Sequence, residues 1–219
     1  MTVVRLVAFD LDGTLIDSRH DLAAAANDVL ARYGRAPLPE TRVTSMVGEG
    51  ARVLMERVFA ASGLPAPADH DLDAFARCYH ARLVETTRPY DGADETLRAV
   101  SARCRVALVT NKPLAHTIRL AGHFGWAPLL CATIGGDGPW PRKPSPDGLL
   151  SVMAASGAPA GETVFVGDSA IDLATAREAG VRFAFARYGF GAPGVAAGAL
   201  ASDDWILDNA ADLLRRLDG

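Results

Sequence analysis

Apolar segments of strand length recur along this chain, and most are followed by turn residues and then a helical pattern. VVRLVAF (3–9), RVALVT (105–110), TVFVG (163–167) and RFAFA (182–186) are the clearest; CATI (131–134) and WIL (205–207) are weaker. Helical periodicity occupies 92–102, 113–123, 146–157, 170–179 and 209–217. Alternation of this kind predicts an α/β fold, a parallel sheet covered by helices on both faces. In such sheets ligands bind beyond the carboxyl ends of the strands, so the residues just after each strand matter most.

One interval breaks the rhythm. Between 18 and 88 no convincing strand occurs, while Leu22, Ala26, Val29, Leu30 and Tyr33 recur at helical spacing. So do Leu54, Val58 and Ala61, and then Leu72, Phe75, Ala76, Tyr79 and Leu83. Breaks at Gly34–Pro39 and Gly63–Pro67 separate these helices. The expected organisation is an α/β core made of residues 1–17 and 89–219, interrupted by a helical cap domain at 18–88. Residues 189–201, rich in Gly and Ala, are expected to form a loop.

Composition narrows the function. The 219 residues are 49% hydrophobic and 22% charged, as in ordinary globular proteins, and carry a net charge of −4 with no basic stripe. Nucleic acid is therefore not an expected partner. The apolar start is too short for a membrane span and has no signal-peptide cleavage pattern, so no membrane association is expected either. Cys78, Cys104 and Cys131 are odd in number and lack a CxxC, which suggests reduced thiols in a cytoplasmic protein. The histidines show no metal-binding spacing; His20, His116 and His123 read as helix-surface or packing residues. The 22 basic residues include 20 Arg and only two Lys, Lys112 and Lys143.

Four clusters fall at strand ends: Asp10-Leu11-Asp12-Gly13-Thr14, Thr110-Asn111-Lys112-Pro113, Arg142-Lys143-Pro144, and Gly167-Asp168 through Asp172. Two carboxylates one residue apart raise each other's pKa unless a cation or a reacting group needs them. Together the clusters suit phosphoryl transfer. Asp10 is placed to attack phosphorus and form an aspartyl-phosphate. Asp12 is placed to protonate the leaving alkoxide and then to deprotonate water. Magnesium held by Asp10, Asp168 and the Asp12 carbonyl would offset the clustered acids, and Lys143 and Thr110 would hold the remaining phosphate oxygens. Pro113 suits the first position of a helix, with the preceding amides facing an anion.

DLDGT, a strand-end Thr-Asn, a Lys-Pro and GDxxxD, in that order, resemble the haloacid dehalogenase superfamily of phosphohydrolases, and within it the chain is most similar to phosphoglycolate phosphatases. The likeness is carried by FDLDGTLIDS, MVGEGA (46–51), RPYDG (88–92), VTNKP (109–113), IGGD with RKPSP, and VGDSAIDLATAREAG (166–180). It implies a Rossmann-like core with an inserted cap, Asp10 as nucleophile, Asp12 as general acid/base, Thr110 and Lys143 on the phosphate, and Mg2+ on Asp168. It further implies that Asp172 supports the metal and that Asn111 contacts the phosphate. Gly13 is expected to supply the turn, and Gly48, Glu49 and Gly50 read either as a plain loop between cap helices or as a hinge or specificity loop of the cap. The partner it implies is a small phosphorylated metabolite, acted on by a monomer or homodimer.

Competing chemistries separate by residue. A dehalogenase needs no second acid, so Asp12 argues against one. A Schiff-base phosphonate hydrolase needs a cap lysine, and 18–88 contains none. A sugar-phosphate mutase of the group carries a histidine where this chain has Leu22. A phosphatase for another small ester, such as a sugar phosphate or pyrophosphate, stays open. So does a catalytically retired regulator that binds a phosphometabolite. Trp140, in the Gly138–Pro141 stretch where related enzymes often carry threonine and basic or aliphatic residues, bears on the choice of ester. Arg42 and Arg52 would suit a substrate carboxylate but read as solvated arginines. Asp172 has a competing reading as a solvated acid in a first helical turn, and Lys112 one as a solvated surface lysine.

Overall fold

The structure, a computed structural model, describes residues 3–196 and 198–218. In chain order the strands are β1 (Leu6–Phe9), β2 (Ile16–Asp17), β3 (Arg88–Pro89), β4 (Arg105–Val109), β5 (Ala132–Ile134), β6 (Thr163–Gly167), β7 (Arg182–Ala186) and β8 (Trp205–Leu207). The α-helices are α1 (Arg19–Ala31), α2 (Glu40–Thr44), α3 (Ala51–Ala61), α4 (Asp69–Arg82), α5 (Ala93–Ser101), α6 (Leu114–His123), α7 (Asp147–Ser156), α8 (Ala170–Ala179) and α9 (Asp212–Asp218). The chain divides into two compact units, one running to Asp17 and resuming at Pro89, the other Ser18–Arg88.

The first unit is built on a six-stranded sheet in the order β5-β4-β1-β6-β7-β8, every neighbouring pair parallel. Side chains alternate between the two faces of a strand. Leu6, Ala8, Ala107, Val109, Phe165, Phe183 and Phe185 share one hydrophobic cluster with Leu149, Val152 and Met153 of α7 and Leu173, Ala176 and Ala179 of α8. The residues between them, Val7, Phe9, Val106, Leu108, Val164, Val166 and Ala184, are buried too. This explains why the strands read as nearly unbroken apolar runs: a parallel sheet covered on both faces has no solvent side. Glycines in left-handed conformation, Gly157 and Gly180, stop α7 and α8 and turn the chain toward the next strand.

The structure differs from the sequence expectation at several places, the two-residue strands β2 and β3 among them. The first strand starts at Leu6, because Val3 is exposed. The five-residue α2 buries only Val43 and Thr44, too little to leave a periodic signal. Pro113 precedes α6 as its cap residue instead of opening it, and the first helical amide, that of Leu114, donates to Asp137 Oδ1 at 2.7 Å. The protein itself supplies an anion at that helix end.

In the Ser18–Arg88 unit, α1 packs on α2, α3 and α4. Its core comprises Leu22, Ala26, Val29, Leu30, Leu54, Met55, Val58, Phe59, Phe75 and Tyr79, all buried. Buried Asp21 accepts from the backbone amides and hydroxyls of Thr86 and Thr87 at 2.6–3.1 Å, which holds its carboxyl below the usual range against the effect of burial. Asn27 exchanges two hydrogen bonds with the backbone of Leu38 and fixes the turn after α1.

Candidate active site

The register of the sheet decides which side chains meet. Phe9 is paired with Leu108 on one side and Val166 on the other. Asp10 lies one residue past that rung, and Thr110 and Asp168 lie two past it on the flanking strands. The Asp10 amide still donates to Val166 O at 2.9 Å, so its backbone is held as strand while its side chain leaves the sheet.

After Asp10 the chain turns tightly. The amides of Thr14, Leu15 and Ile16 all point at the Leu11 carbonyl, and Gly13 sits at φ +92°. A Cβ on Gly13 would lie 2.1 Å from Asp168 Oδ2, so both conformation and space demand glycine there. Gly167 is required for a similar reason: a Cβ would lie 2.3 Å from that of Asp172, which returns over the strand end on the first turn of α8.

Lys143 occupies the centre. Its Nζ lies 2.6 Å from Asp10 Oδ1 and 2.6 Å from Asp172 Oδ1, and 5.4 Å from the centre of the Phe165 ring. Asp172 divides its two oxygens. Oδ2 accepts from the Ser169 amide and hydroxyl, forming a capping box for α8, while Oδ1 faces Lys143. Asp172 thus caps α8 and contacts Lys143 at once, and at 1% exposure it is not the solvated first-turn acid of the alternative reading.

Among the described residues, ligand oxygens of Asp10, Asp168 and Asp172 lie within 4.8 Å of one another, all buried. Burial chiefly pushes the Asp10 carboxyl up to about 6; Lys143 opposes this, and Asp172 and Asp12 add to it. Burial, then the charges of Asp172 and Asp10, pushes Asp168 well above the usual carboxylate range. Burial also disfavours the Lys143 ammonium, yet Asp10 and Asp172 more than reverse this and hold it above the usual lysine value. Three buried carboxylates stand together and a single ammonium pairs with two of them, an arrangement left with surplus negative charge. Hard oxygen donors with that surplus fit a divalent cation.

The other expected residues have definite contacts. Asn111 does not merely line the site: its amide nitrogen donates to Lys143 O and its oxygen accepts the Lys143 amide, both at 2.9 Å. The Thr110 hydroxyl accepts the Lys112 amide at 3.3 Å. The Asp12 side chain stands outside the three-carboxylate group and pairs with Lys112. In the helical unit, Gly48 and Gly50 have positive φ and Glu49 pairs with Arg57, which also donates to Met46 O. Arg52 pairs with Asp69. Trp140 is 41% exposed.

Two features escaped sequence reasoning. One is the Lys112–Asp12 pair, hinted at only by the scarcity of lysine. The other is the loop after β7, where the Gly191 amide donates to Asp168 Oδ2 at 2.7 Å and the Tyr188 hydroxyl to Thr14 O at 2.8 Å. Its glycines were visible, but nothing in the pattern said what they approach.

Residues 4–180 match the family of haloacid dehalogenase-like hydrolases. The chain belongs to that family. This haloacid dehalogenase-like hydrolase is 42% identical over 190 residues to a phosphoglycolate phosphatase of Cereibacter sphaeroides, covering 84% of this chain and 85% of that one. It is 40% identical over 210 residues to the phosphoglycolate phosphatase of Rhodospirillum rubrum, covering 91% and 87%. Among solved structures, a predicted phosphoglycolate phosphatase from Haemophilus somnus superposes with a TM-score of 0.89 at 31% identity, over 99% of both chains. Among the described residues of this hydrolase, no helix is long and apolar enough to cross a membrane.

Proposed function

We propose that this hydrolase cleaves a small phosphomonoester of the phosphoglycolate class through an aspartyl-phosphate on Asp10, in the cytoplasm and with Mg2+ as cofactor. The observation that carries the reading is the contact of Asp10 with Lys143, inside a buried group of three carboxylates beyond the strand ends. Similarity to phosphoglycolate phosphatases over most of the chain supports the choice of substrate class.

In the proposed reaction an Asp10 oxygen attacks phosphorus and the bond from phosphorus to the alcohol oxygen breaks. Asp12 gives its proton to that oxygen. Asp12, now a carboxylate, takes a proton from water as the water attacks the aspartyl-phosphate. The bond from phosphorus to the Asp10 oxygen then breaks, freeing inorganic phosphate and restoring Asp10. Lys143 and Thr110 hold the non-bridging phosphate oxygens, and Asn111 holds Lys143. Asp10, Asp168 and the Asp12 carbonyl would hold Mg2+ with Asp172 in support, and the ion would supply charge neutralisation at the phosphate. Gly48, Glu49 and Gly50 are assigned to substrate selection.

A second reading, a phosphatase for a sugar phosphate or pyrophosphate, is favoured by the exposed Trp140 in the loop that leads to Lys143. Turnover of an ester panel including 2-phosphoglycolate, with Mg2+ or with chelator, separates the two. Asp10→Asn should abolish turnover in a folded protein; near-normal activity rejects the mechanism. Tight binding of a phosphate ester without turnover would instead favour a regulator.

A further inference from the structure

Lys112 is a buried cation beside this site to which the proposed chemistry gives no task. Its Nζ lies 2.8 Å from Asp12 Oδ1 and 2.9 Å from Oδ2. The Lys112 side chain is 2% exposed and that of Asp12 13%. An ammonium almost equidistant from both oxygens fixes where the carboxylate lies and how its plane is turned.

The lysine is itself anchored. Its amide donates to Thr110 Oγ1 at 3.3 Å, and its carbonyl accepts the Gly136 amide at 2.8 Å. Gly136 can come that close because it lacks a Cβ, which would stand 2.2 Å from Asn111 O. Pro113 follows and restricts Lys112 to extended backbone. The loops that carry Thr110 and Lys143 thus also fix the base of the Lys112 side chain.

Stability does not call for this arrangement. A buried ion pair is often no better than apolar side chains of the same volume. A chain with 20 Arg and two Lys has buried both lysines against carboxylates of this site, where a compact point charge fits better than a guanidinium fork.

We infer that Lys112 is a positioning residue for Asp12, holding its carboxylate where protons pass to the leaving oxygen and from the attacking water. The inference rests on the phosphatase reading above. Proton transfer needs reach and direction, and a displacement of about 1 Å costs on the order of 100-fold in rate.

The test compares kcat/KM for 2-phosphoglycolate, whose alkoxide needs a proton, with p-nitrophenyl phosphate, whose phenolate leaves without one. Lys112→Met should lower the first by about 10- to 100-fold and the second by less than about threefold. Combined with Asp12→Asn, it should add nothing to the loss that variant already shows. Should Lys112→Met fail to fold, Lys112→Arg, which keeps charge but not the compact geometry, is read by the same split. Equal losses on both esters, multiplicative losses in the double variant, or no loss at all would overturn the role of Lys112. Asp10-dependent turnover by the wild type in the same assay keeps that outcome distinct from failure of the phosphatase reading. Absence of wild-type turnover of either ester would overturn both.

Discussion

The side-chain amide of Asn111 grips the backbone of Lys143 with two hydrogen bonds of 2.9 Å. Through that grip the loop after β4 fixes the loop that delivers the central ammonium to Asp10. Replacing Asn111 by Leu keeps the volume but orphans a buried amide and a buried carbonyl, at about 1–3 kcal/mol for each group left unsatisfied. The expected outcome is a lower melting temperature together with a fall in kcat/KM of at least about tenfold, since Lys143 loses its support. A variant with full activity would show that Lys143 is held by other means.

Lys143 compensates two carboxylates at once. Removing its charge with Lys143→Met leaves Asp10 and Asp172 buried without their shared cation. Breaking a buried pair on one side costs about 3–5 kcal/mol. The loss should be largest in chelator and smaller in millimolar Mg2+, where a cation can take over part of the compensation. Thermal melts under the two conditions check this, and an equal loss in both would argue against a cation at the carboxylate group.

Asp10 gives the stability of the metal-free protein a sign with pH. Its carboxyl is pushed up to about 6 in the fold, chiefly by burial, against 3.8 for an ordinary carboxyl. The folded protein holds this proton more tightly than the unfolded chain. Its contribution is complete below about pH 4 and is lost as pH rises to about 6. Melting in chelator should therefore decline across that window. Asp10→Asn should flatten the decline, and added Mg2+ should raise the melting temperature more at about pH 7.5 than at about pH 5, where the proton competes.

Much of this fold is legible in the amino-acid sequence. The strands of the sheet were readable because two-sided burial leaves Val7, Val106 and Val164 as apolar as their neighbours. Asp10, Thr110, Lys143 and Asp168 stood out because the carboxyl ends of parallel strands are where an α/β sheet collects polar groups. What stayed hidden depends on three-dimensional approach. The helix α2 buries two residues and has no period. No spacing rule says that Lys112 meets an acid 100 residues earlier. Asn111 was visible as polar, but not as a clamp on a backbone 32 residues away.

The loop after β7 carries the remaining prediction. A Cβ on Gly189 would stand 2.2 Å from Gly13 O and 2.3 Å from Asp168 Cβ, so the loop lies directly against the turn that follows Asp10. Beside it the Tyr188 hydroxyl donates to Thr14 O, the Tyr188 ring meets Tyr90 edge-on at 5.1 Å, and the Gly191 amide holds Asp168 Oδ2. Gly189→Ala forces these groups apart, whereas Tyr188→Phe removes one hydroxyl and keeps the packing. The alanine variant should lose about 2 kcal/mol or more, as overpacking in a tight contact does. It should also bind Mg2+ more weakly by calorimetry, because Asp168 is displaced. The phenylalanine variant should lose about 1 kcal/mol, the net worth of one buried hydrogen bond, and bind Mg2+ nearly as well. If Gly189→Ala melts and binds like the wild type, the loop does not support Asp168.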